Sequence, residues 1–117
     1  MPQYLLLIHE EESTYAAMGP DEMAQVMAAH EEFTVRNAAA ILGGEALEST
    51  ATATTVRGDG DGGYTVTDGP FAETKEALGG YYVVEAADLD EAVSLARQVP
   101  VAPGAGCVEV RPVMTFG

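Results

Sequence analysis

His30 lies in the stretch "EMAQVMAAHEEFTVRN", with Thr34 one helical turn further on and Asn37 two turns on. An imidazole changes charge near neutral pH, so it can take or give a proton under ordinary conditions. Residues three or four apart share a helix face. His30, Thr34 and Asn37 would then form a polar strip within an apolar stripe, and a buried imidazole there must find partners for its ring nitrogens. Such a strip between a helix and a sheet is a natural lining for a small-molecule pocket. His30 is therefore the candidate acid or base, and Thr34 and Asn37 are candidate ligand contacts. The plainer alternative is a buried histidine satisfied by hydrogen bonds.

The second candidate is "TDGPFAETKEALGGYY", Thr67 to Tyr82. Asp68 is placed to accept backbone hydrogen bonds in an Asx-type turn, or to act as a catalytic carboxylate. Pro70 fixes its own φ, and Gly69 avoids the crowding a Cβ meets before proline. Phe71 either plugs an apolar hole or walls a pocket at the sheet edge. Lys75, the one lysine of the chain, stands between Glu73 and Glu76. It either anchors an acidic ligand or makes an exposed ion pair of little worth.

Two acidic runs invite a metal and do not fit one. In "HEEE", His9 to Glu12, neighbours on a strand point to opposite faces and cannot converge. A solvated acidic strand exit is the expectation. "DGDG", Asp59 to Gly62, starts like a calcium loop, but Pro70 stands where the bidentate glutamate belongs. No Walker, G-x-S-x-G or cysteine-pair pattern occurs. The expectation is neither metal nor cofactor.

The bulk numbers bound the rest. A chain of 117 residues, 47% hydrophobic and 21% charged, reads as one globular domain over 1–117. A net charge of -14 repels phosphate backbones and anionic lipid, which argues against nucleic-acid and membrane partners. The single cysteine, Cys107, excludes an internal disulfide and is expected to be buried. "MPQYLLLIHE" has no basic leader and too short an apolar run for a signal or a span, so the cytoplasm is expected.

The elements that must position these residues follow from periodicity. "QYLLLIH" reads as a strand apolar on both faces, with Leu5 and Leu7 on one and Leu6 and Ile8 on the other. Pro20 and Asp21 open a helix, and Gly43-Gly44 is read as its end. Steps of about 100° put Met23, Val26, Met27, Phe33 and Ile41 on its apolar stripe. Glu45–Arg57 and Tyr64–Asp68 read as β arms around the "GDGDGG" turn. Tyr81–Ala86 is a strand, Asp88 caps a second helix, and Cys107–Val113 is the last strand. The order is β-α-β-hairpin-β-α-β: an α+β, ferredoxin-like βαββαβ arrangement with an extra hairpin. Two helices cover one sheet face, so a second subunit is the expected cover for the other.

"DGPFAETKE", then "GGYYVVEA", an "LDEA" helix and a closing "VEVRPV", resembles the DGPF-type branch of the YCII-related family over nearly the whole chain. The resemblance implies a homodimeric α/β-barrel built from ferredoxin-like subunits. Members of this branch are often encoded beside extracytoplasmic-function sigma factors, which implies either a non-catalytic ligand-binding or regulatory module or an enzyme of unassigned activity. Wider relatives process muconolactone-type compounds, with a histidine on the first helix and an aspartate before the last strand as the site. His30 matches that histidine. Val99-Pro100 stands where the relatives carry Asp-Pro, which leaves Asp68 as the acidic candidate. The expected ligand is a small lactone-like or acidic compound.

Overall fold

Strand β1 (Gln3–Glu10) alternates strictly, with Tyr4, Leu6, Ile8 and Glu10 buried and the residues between them less so. The computed structural model describes residues 1–102 and 104–116. After β1 come α1 (Glu12–Ala16), α2 (Pro20–Arg36) and β2 (Ile41–Ala46). Strands β3 (Thr54–Gly58) and β4 (Tyr64–Asp68), then β5 (Ala77–Glu85), α3 (Leu89–Ala96) and β6 (Gly106–Pro112), complete the order. The main sheet runs β2-β5-β1-β6, and every neighbouring pair is antiparallel. This is the α+β arrangement expected, consistent with a ferredoxin-like fold. Strands β3 and β4 pair with each other as a separate hairpin.

Register places the core. Leu6 lies opposite Tyr82 on β5 and Val110 on β6, and Tyr4 lies opposite Val84. Phe33 of α2 and Ala92 and Leu95 of α3 complete one buried cluster with Tyr4, Leu6, Ile8 and Val84. Leu6, Phe33 and Val84 are the large side chains sealed most completely. Asp88 caps α3 by accepting the Glu91 N–H at 2.9 Å, as the sequence suggested. The opposite sheet face carries Leu5, Leu7, Tyr81 and Val83, all partly exposed.

Helix α2 ends at Arg36, not at Gly43-Gly44. The Asn37 amide donates to the Phe33 carbonyl at 3.1 Å, which satisfies a last-turn acceptor. Ile41 therefore belongs to β2 rather than to the helix stripe. Gly44 is needed there because a Cβ would lie 2.5 Å from the Tyr81 carbonyl oxygen and 2.9 Å from Tyr82 Cδ1. Cys107 is exposed, not buried, because its place opposite His9 puts it on the uncovered sheet face. Met27 is exposed at the helix edge. The short helix α1 gave no periodic signal in the sequence.

The two glycines of β2 make a matched pair. Gly43 has open space where its Cβ would be, whereas Gly44 meets backbone. Gly44→Ala is expected to cost about 1–3 kcal/mol, as for an overpacked site, and Gly43→Ala almost nothing. Thermal melts of both variants check this. Equal melting points would mean that β2 does not approach β5 as closely as described.

Candidate functional site

Helix α2 and the short helix α1 stand over the β2 end of the sheet and leave a cleft of about 860 Å³. Its apolar walls include Met23, Val26 and Met27 from α2, Ile8 from β1 and Leu47 beyond β2. Its polar side chains include His30, Tyr82, Glu10 and Tyr15. A volume of this size with few polar groups suits a small organic ligand.

His30 is half-buried on α2, and its Nδ1 lies 2.9 Å from Tyr82 Oη. The two rings are stacked with centroids 6.1 Å apart. Tyr82 is held in turn against buried Phe33, with centroids 4.9 Å apart. Nε2 has no protein partner among the described residues, and no buried side-chain nitrogen there is left unsatisfied. Nε2 is thus an open ring atom on a residue that lines the cleft. If Nδ1–H donates to the phenol oxygen, Nε2 is a free base. In the other tautomer Tyr82 donates and Nε2–H is a donor. Burial holds the imidazole pKa below its ordinary value of 6.5, and the nearby Glu10 charge partly offsets this.

Glu10 ends β1 in phase with Leu6 and Ile8, so it turns inward and is only 8% exposed. Tyr15 of α1 donates its hydroxyl to Glu10 Oε2. Burial first, and then the Glu10 hydrogen bond and charge, push the phenol well above its ordinary value, so Tyr15 stays protonated. Gly106 on β6 permits this packing, since a Cβ there would lie 2.8 Å from both Glu10 Cγ and the His9 carbonyl oxygen. Glu12, also at the cleft, accepts the Thr50 N–H at 2.8 Å and the Ser49 hydroxyl at 3.1 Å. The Thr50 backbone bond leads in holding its carboxyl below the usual range.

Of the residues singled out from the sequence, His30 lies in this cleft, and Thr34, Asn37, Asp68, Phe71 and Lys75 do not line it. Thr34 is exposed, and its hydroxyl turns back to the His30 carbonyl at 2.9 Å. Asn37 donates to Oε1 of Gln98, just beyond α3, at 3.0 Å. Asp68 is exposed on the hairpin, and no hydrogen bond reaches its carboxylate among the described residues, so the Asx-turn expectation fails. That corner is held instead by Gly69 N–H on the Ala53 carbonyl at 2.7 Å and by Thr55 Oγ1 on the Gly69 carbonyl at 2.8 Å. Gly69 adopts φ +96°, which favours glycine. Phe71 is 76% exposed. Lys75 is exposed and pairs with Glu11 at 3.4 Å.

The "HEEE" run is not a uniform solvated exit. His9 pairs with Glu109 at 3.0 Å on the uncovered sheet face, Glu11 pairs with Lys75, and Glu10 is buried in the cleft. No metal-competent cluster forms among the described residues. Among those residues, too, no helix is long and apolar enough to cross a membrane. Glu10, Tyr15 and Tyr82 escaped the sequence reading. For Glu10 the signal was present, since period two carries it inward with Leu6 and Ile8.

The chain belongs to the YCII-related family, whose domain model matches residues 2–117. It is 39% identical over 119 residues to the uncharacterized protein R00369 of Rhizobium meliloti (strain 1021), a match covering 97% of this chain and 93% of that protein.

The His30 environment gives a pH signature. Because the folded pKa lies below 6.5, the unfolded chain takes up the proton first as pH falls. Stability tied to a neutral His30 is fully present above that value. It is lost as pH drops from there toward the folded pKa. NMR titration of the His30 ring is expected to show a midpoint below 6.5. A midpoint above it would mean that the Glu10 charge, not burial, dominates.

Proposed function

We propose that this YCII-related chain binds a small, mostly apolar organic compound in the His30 cleft and moves a proton on it, with His30 Nε2 as acid or base. The observation that carries this reading is a histidine fixed by Tyr82 through Nδ1, with its other nitrogen open, in the lining of a cleft of about 860 Å³. A base positioned in this way, neutral at neutral pH, suits general acid–base chemistry. Of the compounds implied by the resemblance, lactone-like ones fit better than acidic ones. Glu10, Glu12, Glu45 and Glu48 line the cleft, and no lysine or arginine does so among the described residues. Asp68, lying outside the cleft, has no part in this proposal.

The "DGPFAETKE" stretch supports placement in the DGPF-type branch. A second reading is a non-catalytic ligand-binding or regulatory module linked to an extracytoplasmic-function sigma factor. It is favoured by one detail: the His30 ring is held by a phenol rather than by a carboxylate. The protein would then act in the cytoplasm, without touching nucleic acid itself.

His30→Gln separates the two. For an enzyme, turnover across a panel of small lactones is expected to fall by about a hundredfold or more, while binding followed by calorimetry persists. Wild-type binding without turnover of any panel member would favour the module.

A homodimer is part of the same proposal. Leu5, Leu7, Tyr81 and Val83 leave an apolar centre on the uncovered sheet face, and a second copy is the economical cover for a barrel. The hairpin adds Val56, Tyr64 and Val66, all well exposed. Light scattering should give twice the chain mass of 12.2 kDa. A monomer at micromolar concentration would overturn the dimer and the barrel together.

A further inference from the structure

We infer that the compound taken by this cleft carries a protonated amine on an apolar body, with the Glu10 carboxylate as the counter-charge. The inference rests on the reading of the cleft as a small-molecule site, and it names the class of molecule.

Glu10 is more than nine-tenths buried. A buried carboxylate ordinarily has a cationic partner, because removing its charge from water is costly. Its neighbours in the run each have company: Glu11 has Lys75, and Glu12 has the Thr50 N–H and the Ser49 hydroxyl. Glu10 has a phenol, and no lysine, arginine or histidine pairs with it among the described residues. The Tyr15 hydroxyl occupies one acceptor site on Oε2, and a carboxylate offers about four. The unused ones belong to a side chain that lines the cleft.

The other groups agree with that assignment. Tyr15 and Tyr82 also line the cleft, and phenol faces attract cations. His30 is held neutral by burial and adds no positive charge. Glu12, Glu45 and Glu48 deepen the negative potential, on a chain whose net charge is -14. Met23, Val26 and Met27 offer an apolar wall for the rest of the molecule. An ammonium group brings three donors and one positive charge to a cleft whose acidic side chains are Glu10, Glu12, Glu45 and Glu48. A carboxylate ligand would meet like charge with no cation to receive it.

Three probes with one ring test this: benzylamine, benzyl alcohol and benzoate, each titrated into the wild-type chain at neutral pH while the His30 ring resonances are followed. Benzylamine is expected to bind at least about tenfold more tightly than benzyl alcohol, as for one close charge pair, and to shift the His30 signals. Benzoate should not bind. Glu10→Gln should remove the benzylamine advantage and leave benzyl alcohol unchanged. Should that variant fail to fold, wild-type binding of benzylamine against its uncharged N-acetyl derivative at high salt decides, since a buried charge pair is screened little there: an amine that keeps its advantage supports the inference, and one that loses it overturns it. Benzyl alcohol or benzoate binding as well as benzylamine overturns this inference and leaves the small-molecule reading standing. If none of the three binds or moves His30, both fall.

Discussion

Strand β1 lies at the centre of the sheet, between β5 and β6, and its period-two alternation sets what its neighbours must supply. Tyr4, Leu6 and Ile8 are buried on the helix side, so β5 answers with Val84 and Tyr82, and β6 with Val110 and Val108. The helices close over that layer with Phe33, Ala92 and Leu95. The same alternation delivers Glu10 to the helix side one step past Ile8. An apolar residue in that place would extend the core. The carboxylate there meets the Tyr15 hydroxyl of α1 instead and lines the cleft. The site follows from the core pattern carried one residue too far for a purely apolar interior.

Burial and charge oppose each other at His30. Loss of water disfavours the imidazolium, and the Glu10 charge favours it, with burial the larger effect. The ring is accordingly held as a neutral group against Tyr82, and Tyr82 is fixed by packing on Phe33. Orientation of the histidine thus comes from the aromatic core rather than from an ionic partner. Tyr15 is the opposite case: burial and Glu10 both favour its protonated form, and its hydroxyl is given to Glu10 in the cleft that His30 also lines.

Much of the architecture was legible because it depends on local patterns. The two apolar faces of "YLLLI", the capped "DLDEAVSLA" helix and the "GDGDGG" turn each specify their own element. Asp59 in that turn accepts the Asp61 and Gly63 N–H groups at 2.7 and 3.0 Å. Errors arose where one residue type serves two ends. Gly43-Gly44 has the form of a helix stop, yet Gly44 is there because Tyr81 and Tyr82 come too close for a Cβ. Thr34 and Asn37 have the spacing of a ligand strip, yet one bonds back to the helix and the other caps its end against Gln98. Long-range pairings carry no such local signature. Tyr82 meets His30 across fifty-two positions of sequence, with Tyr82 placed by the β1–β5 register and His30 by the packing of α2 through Phe33.

The "DGPF" corner and the cleft illustrate how a specific motif and a reactive site can be separate things. Gly69 is at φ +96°, and its N–H and carbonyl tie the corner to Ala53 and Thr55 across the hairpin. Arg57 adds a bond to the Phe71 carbonyl at 3.2 Å. These contacts fix where the chain leaves β4. Position along β5 decides which residue faces Leu6. Tyr82 faces Leu6 through the pairing of β5 with β1, so the corner and the His30 contact are held by separate sets of bonds. A motif of this kind is specific in sequence because few residue types meet its backbone demands, and that specificity requires no chemistry of its own.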